Sequence, residues 1–184
     1  MVKITRESAL VVIDVQEAWS DPALGNRNNP NAEKVISYLI ANFRVKGGKL
    51  VHVRHHSRNP NSPFIPGKKS FEFKEEAKPL EGEIVITKRV NSAFIGTDLE
   101  KILREKESDK IFYVGLTTDH CVSTTARMSG NMGFESYVIE DACATFDRYG
   151  ISGEIIPAEE VHRVNLASIN GEFANVISSS QLEF

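Results

Sequence analysis

The chain has 184 residues, 41% of them hydrophobic and 26% charged, the proportions of a globular protein able to bury one core without disulfides or structural zinc. Its formal charge of −3 at pH 7 lacks the basic footprint that nucleic acid or an acidic membrane surface requires. The apolar run in the N-terminal MVKITRESALVVIDV is too short and too soon interrupted for a signal peptide or a membrane span, and no other segment approaches one. With no export signal, a cytoplasmic location is expected. The two cysteines, Cys121 and Cys143, suit a reducing compartment and are not spaced for zinc.

Six short runs rich in Val and Ile alternate with helical patterns. The first, Ala9–Val15, is almost continuously apolar, as expected of a strand covered on both faces. Asn29-Pro30 opens a helix, because a proline in the first turn forfeits no hydrogen bond. Val35, Leu39 and Phe43 then recur every four residues, and Gly47-Gly48 stops the helix. Lys49–Arg54 is the second strand. The connection from Arg54 to Glu83 is long and carries Pro60, Pro63, Pro66 and Pro79; such connections serve as lids or binding loops. Glu83–Lys88 is the third strand. Thr97-Asp98-Leu99-Glu100 has a capping-box pattern ahead of Leu99, Ile102 and Leu103. Lys110–Leu116 is the fourth strand, and the turn Thr117-Thr118-Asp119 leads into a helix that carries Cys121 and ends near Gly133. Glu135–Ile139 follows. Pro157 precedes a last helix with Val161, Val164 and Ser168 on one face, and Ala174–Ser178 closes the series. The alternation predicts a single domain over residues 1–184, a three-layer α/β/α fold with a six-stranded parallel sheet and right-handed crossovers.

Cys121 stands where a strand ends and a helix begins. There the free N–H groups and partial positive charge of the helix start stabilise a thiolate. A cysteine kept for packing sits more often inside an element, and Cys143, in EDACATF, fits that description. Asp14 ends the first strand in VVIDVQ, at the carboxyl edge where open α/β sheets bind ligands. Lys88 closes the third strand in IVITKRVNSAF and reaches the same edge. Taken singly, such an aspartate is a turn cap and such a lysine a solvated end charge. Three reactive groups at three strand ends, far apart in sequence, are a less expected coincidence.

Other arrangements fit poorly. Asp14 is flanked by Ile13 and Val15, not by the second acid of a receiver domain. QEAWSDP is too acidic and bulky for the phosphate loop of a flavodoxin, and there is no C-x-x-C for thiol redox chemistry. His120 adjoins Cys121, but a neighbouring helical residue points about 100° away, which makes it a poor base for that thiol. His52 lies inside a strand, where it is buried or paired locally. His55 and His56 adjoin the sheet edge, within reach of substrate or a metal. Trp19, Phe64, Phe71, Phe94 and Phe146 fall in or near the loops after strands, where packing is their ordinary role.

Together Asp14 in VVIDVQ, Lys88 in TKRVNSAF and Cys121 in GLTTDHCV resemble the Asp–Lys–Cys triad of isochorismatase-like cysteine hydrolases. That superfamily includes nicotinamidases, N-carbamoylsarcosine amidases, ureidoacrylate and biuret amidohydrolases, and streptothricin hydrolases. The likeness covers nearly the whole chain, including AEEVHRVNLASINGEFANVIS. It implies a cysteine-dependent hydrolase of a small amide, lactam, ureide or carbamoyl compound acting through a thioester. Lys88 and the helix start would favour the thiolate, and Asp14 would take the thiol proton. The backbone N–H of Cys121 is one oxyanion donor, and the resemblance suggests a second near Thr117, exposed by a cis peptide between Leu116 and Thr117. It also implies a substrate pocket that includes Gln16, Trp19, His55, Phe94 and Phe146, no cofactor, and a homo-oligomer, dimer or tetramer.

TKRVNSAFIGTDLE and GLTTDHCVSTTARM resemble the streptothricin-hydrolase-like group, whose cationic substrates would make Glu17, Asp21 and Asp147 candidate counter-charges. Nicotinamidases carry a metal-binding Asp-x-His after the second strand. Here VHVRHHSRN puts His55 near the aspartate place and Ser57 near the histidine place, so no metal is expected. True isochorismatases lack the nucleophilic cysteine. The alternatives are a nicotinamidase, which would release nicotinate and hold a metal, and a non-catalytic α/β module that binds a small molecule.

Overall fold

A computed structural model describes residues 1–184. Six strands form the main sheet: β1 (Ala9–Ile13), β2 (Lys49–His55), β3 (Ile84–Lys88), β4 (Lys110–Leu116), β5 (Glu135–Ala144) and β6 (Asn175–Ile177). All neighbours run parallel, in the order β3-β2-β1-β4-β5-β6. Four helices connect them: α1 (Ala32–Lys46), α2 (Leu99–Glu105), α3 (Ser123–Asn131) and α4 (Ala158–Ile169). The fold is therefore the expected three-layer α/β/α arrangement. No helix is long and apolar enough to cross a membrane.

Strand alternation explains the unbroken apolar runs. Leu10 and Val12 pack with Ile36, Leu39, Ile40 and Phe43 of α1. Val11 and Ile13 point to the other face, into a core shared with Leu99, Leu103, Ala126, Leu166 and Ile169 of the remaining helices. Both faces are covered, so neither side chain set can be polar; each buried aliphatic contributes about 1.5–3 kcal/mol. With α1 on one face and α2 and α3 on the other, the order reverses between β1 and β4. A crevice forms outside the carboxyl ends of strands at such a point.

Element ends differ from the sequence expectation where side chains or turns intervene. β1 stops at Ile13, not Val15, because Asp14 takes a left-handed φ of 52°. α1 begins at Ala32 rather than at Pro30, since Asn29 is also left-handed, at φ 43°. Its end is as expected: Gly47 has φ 71°, and the Gly48 N–H returns to Phe43 O at 2.9 Å. The Thr97 capping box does not close. Thr97 Oγ1 donates to Ala93 O at 2.5 Å, and Glu100 pairs with Arg104 at 2.9 Å instead of turning back to the helix start. On α4 Val161 is buried but Val164 and Ser168 face outward; the inner stripe is Ala158, Val161, His162, Leu166 and Ile169.

β5 continues to Ala144, past the Ile139 read from sequence. Its pairing with β4 shifts between Tyr113↔Val138 and Gly115↔Cys143, so two steps along β4 match five along β5. The distortion needs Gly115. At φ 125° its added Cβ would lie 2.0 Å from Ile13 O, an impossible approach for any side chain.

The long connection after β2 folds back over the loop that follows β1. Glu17 N bonds Glu72 O at 2.9 Å, and Lys74 N bonds Val15 O at 3.0 Å. Glu33 of α1 fastens both segments: Arg27 grips it through Nη1 and Nη2 at 2.7 and 2.5 Å, and Lys74 Nζ reaches it at 2.7 Å. These cations outweigh burial and hold the Glu33 carboxyl down at about 2. A depressed carboxylate stabilises the fold above its unfolded pKa and loses that contribution as pH falls toward the folded value. Glu33→Gln should therefore cost about 3 kcal/mol at pH 7, and the difference from the parent should vanish as pH falls from about 4.5 to 2. Urea titrations at several pH values measure this; a pH-independent difference would refute it.

Candidate active site

The site is assembled from the carboxyl ends of three strands. Asp14 follows β1, Lys88 ends β3, and Cys121 lies beyond β4 in a single wide π-helical turn, Thr118–Val122, that runs into α3. Such turns are frequent at functional sites. Lys88 Nζ stands 2.6 Å from Asp14 Oδ2 and 3.3 Å from Cys121 Sγ. The sequence-predicted triad thus meets in one place. Cys121 keeps 8% of its surface exposed, whereas Asp14 and Lys88 keep 0%, so Cys121 is the accessible residue of the three.

Local backbone contacts fix Asp14. Its N–H donates to Val53 O at 2.8 Å, and its carbonyl accepts from Gln16 N at 2.8 Å and from Trp19 Nε1 at 2.7 Å. Holding a non-glycine residue at positive φ costs about 1–3 kcal/mol and persists only where surroundings impose it. Neither carboxylate oxygen accepts a well-aligned hydrogen bond, and Oδ2 has only the Lys88 ion pair, a costly state for a buried anion and one that a proton relieves.

Charge in the triad is shared. Burial pushes the Asp14 carboxyl up, against the pull of Lys88. Burial, then the Asp14 charge, pushes the Cys121 thiol up, again opposed by Lys88. Burial works against the Lys88 ammonium, but Asp14 and Cys121 outweigh it and raise its pKa. Burial and the Asp14 charge thus favour the thiol over the thiolate, and Lys88 opposes them. The helix start and Lys88, expected to favour the thiolate, therefore act against the burial of the sulfur next to an anion. One proton serves two acids, and Lys88 balances whichever is ionised.

The Leu116–Thr117 peptide is cis. The Thr117 N–H makes no hydrogen bond within the chain, while its carbonyl receives the N–H groups of His120 and Val122, both at 3.2 Å. Among the residues expected around a pocket, Trp19 stacks on Phe146 with centroids 5.9 Å apart and touches Phe64 at 5.0 Å. Phe94 packs in the same core cluster as Cys121 and stacks on Phe134. His55 Nδ1 is 3.4 Å from Lys88 Nζ. Gln16 is fully buried and spends its amide on backbone: Oε1 accepts from His55 N at 2.7 Å, and Nε2 donates to Phe71 O at 2.8 Å and His55 O at 3.2 Å. It holds His55 in place.

The remaining sequence candidates are also located. His52 is buried and its Nε2 meets Glu83 at 3.0 Å. His120 is exposed, 3.5 Å from Asp119. Cys143 is fully buried. Of the acids offered as counter-charges, Glu17 accepts from Ser20 Oγ, Asp21 caps Ala23 N, and Asp147 accepts from Ala158 N at 2.8 Å at the start of α4. No group of three or more His, Cys, Asp or Glu side chains gathers as a metal-ligand set.

Sequence reasoning missed a network behind Cys121. Arg148 binds Asp119 through Nε at 2.7 Å and Nη2 at 3.2 Å, and Thr145 Oγ1 donates to Asp119 at 2.5 Å. His162 Nδ1 meets Thr118 Oγ1 at 2.8 Å from α4. These contacts pin the turn that carries Cys121. Only the TTDH segment beside the cysteine signalled anything; Arg148 and His162 reach it through the register of β5 and the packing of α4.

The isochorismatase domain family matches residues 8–181. The chain belongs to the isochorismatase family of hydrolases. The isochorismatase family protein YrdC of Bacillus subtilis is 43% identical over 176 residues, covering 96% of this chain and 94% of that one. The crystal structure of an isochorismatase-family protein from Chromobacterium violaceum superposes with a TM-score of 0.93 at 40% identity, over 97% of this chain and 93% of the other. N-carbamoylsarcosine amidase from Thermoplasma acidophilum aligns over 100% of both chains with a TM-score of 0.73 and 26% identity.

Proposed function

We propose that this family member is a cysteine amidohydrolase, cleaving a small amide, lactam, ureide or carbamoyl compound through a thioester on Cys121. The observation that carries the reading is the meeting of one sulfur, one carboxylate and one ammonium, with Lys88 Nζ 2.6 Å from Asp14 and 3.3 Å from Cys121. The amidase activity named for the Thermoplasma structure supports the same bond class.

The steps follow from the charges. Asp14 takes the thiol proton as the sulfur attacks the carbonyl carbon, and Lys88 remains beside the anion throughout. The N–H groups of Cys121 and Thr117 face the developing oxyanion; one such donor is typically worth about 3–4 kcal/mol. Protonated Asp14 returns its proton to the departing amine. Water then cleaves the thioester with Asp14 again as base, restoring the thiol. Gln16 positions His55, while Trp19, Phe94 and Phe146 form apolar walls. Streptothricin-type lactams are the substrates suggested by TKRVNSAFIGTDLE and GLTTDHCVSTTARM.

A panel of amides, lactams and ureides, read by ammonia or amine release, tests the reaction. Mass spectrometry of protein quenched during turnover should find the acyl group on the peptide containing Cys121. Turnover with no adduct on that peptide, or an adduct elsewhere, would overturn the thioester route. The same reading carries a homo-oligomer; light scattering at the mass of one chain would count against it.

A further inference from the structure

Lys88 has more acceptors than protons. Its ammonium offers three N–H groups, yet four atoms surround the buried Nζ: Asp14 Oδ2 at 2.6 Å, Val90 O at 3.1 Å, Cys121 Sγ at 3.3 Å and His55 Nδ1 at 3.4 Å. At 2.6 Å the full charge of the Asp14 carboxylate draws one N–H even though the contact is an ion pair poorly aligned for a hydrogen bond, and the Val90 carbonyl is fixed by the backbone, so these two hold their N–H groups. Sulfur and His55 compete for the third.

His55 is built to accept rather than to donate at that point. A ring nitrogen facing an ammonium must be unprotonated. Burial and the Lys88 charge, with a smaller push from His56, bring the His55 pKa down to about 4, so the ring is neutral with its proton on Nε2. The ring cannot swing away easily. Gln16 clamps the His55 backbone on both sides, His55 pairs with Lys88 in register across β2 and β3, and Phe64 meets the ring edge at 5.5 Å.

From this geometry we infer that His55 is a positioning residue that shares the third Lys88 proton with Cys121. When the sulfur is a thiol or a thioester it carries no charge, and the N–H turns to His55. When the sulfur ionises, the N–H returns to it. His55 thus keeps the buried ammonium satisfied in the uncharged stages, and the His55 bond given up on ionisation offsets part of Lys88's stabilisation of the thiolate. The inference rests on Cys121 being the nucleophile, but its test needs no substrate.

The pH dependence of Cys121 alkylation by iodoacetamide is measured, peptide by peptide, in the intact protein and two variants. His55→Phe keeps the ring packing and removes the acceptor; His55→Asn restores an acceptor oxygen near the Nδ1 position. Asp14 and Lys88 are the charged groups acting on the sulfur, Lys88 and His56 those acting on His55, and Arg54 and Arg89 act on His56 in turn. All stay in place in both variants.

In His55→Phe the third N–H stays on sulfur, so the labelling midpoint should fall by about one pH unit. In His55→Asn it should return to the parent value. A His55→Phe midpoint that is unchanged or higher, or a His55→Asn midpoint that falls equally, overturns the role of His55 and leaves the nucleophile intact. Absence of Cys121 labelling in the parent at every pH overturns both readings together. Melting temperatures of the variants, within a few degrees of the parent, establish that the comparison is made on folded protein.

Discussion

Cys121→Ala should lower turnover by about ten-thousand-fold or more while the protein still folds. Alanine removes the only atom that can form the covalent intermediate. It leaves the Asp14–Lys88 pair at 2.6 Å in place, so no buried charge loses its partner. Cys121→Ser should be nearly as inactive, because a hydroxyl ionises far less readily than a thiol and the site already opposes ionisation through burial and the Asp14 charge. The loss should fall on kcat, with binding of a slow substrate little changed. Both variants should melt within a few degrees of the parent, since one sulfur atom at the end of a packed turn contributes little volume. Full turnover by purified Cys121→Ala would remove the mechanism. An inactive variant that is also unfolded would place the effect in stability instead.

The positions of the three reactive groups were legible because the sheet turns a sequence pattern into a place. Asp14 and Lys88 each close an apolar run, and a parallel strand always delivers its last residue to the carboxyl edge. Cys121 follows the best defined of these runs, β4, whose bounds Lys110–Leu116 match the sequence reading in full. What was not legible depends on contacts between distant segments. Arg148 and Asp119 meet only because β5 accommodates extra residues opposite Gly115. The Thr97 box is incomplete because the helix is capped at Asp98: the Thr97 hydroxyl accepts from Leu99 N at 3.3 Å while donating to Ala93 O, and Glu100 turns to Arg104 instead of closing the reciprocal bond. The buried face of α4 was misplaced since His162, a polar residue, lies inside the stripe and is satisfied there by Thr118. The charge state of the thiol was also out of reach. Helix start and lysine are visible in sequence, but the depth of burial that opposes them is not.

Lys88→Met should do more damage to stability than any surface charge change, with a pH dependence that identifies the cause. Removing one member of a buried ion pair leaves the other uncompensated, at a cost of about 3–5 kcal/mol. Asp14 is that remaining charge, with 0% exposure. Its folded pKa is already raised by burial against the opposing pull of Lys88, and without Lys88 it rises further. A carboxyl raised in the folded state favours folding most below its unfolded pKa, about 3.9, and progressively less as pH climbs through the folded value. The Lys88→Met deficit should therefore be largest toward neutrality and shrink as pH falls through the raised folded value of Asp14 toward the unfolded one, about 3.9, below which Asp14 is protonated in both states. Urea midpoints of parent and variant across that range measure the difference, and the acid lability contributed by Glu33 cancels because both proteins share it. Asp14→Asn combined with Lys88→Met should recover most of the loss, as a neutral pair leaves no buried charge. In the single variant the Cys121 thiol also loses the cation that opposes its upward shift, so alkylation should move to higher pH and turnover should fall with it. A deficit that stays constant from pH 7 to 4, or a double variant no more stable than the single one, would mean that Lys88 is held for packing and that the charge argument is wrong.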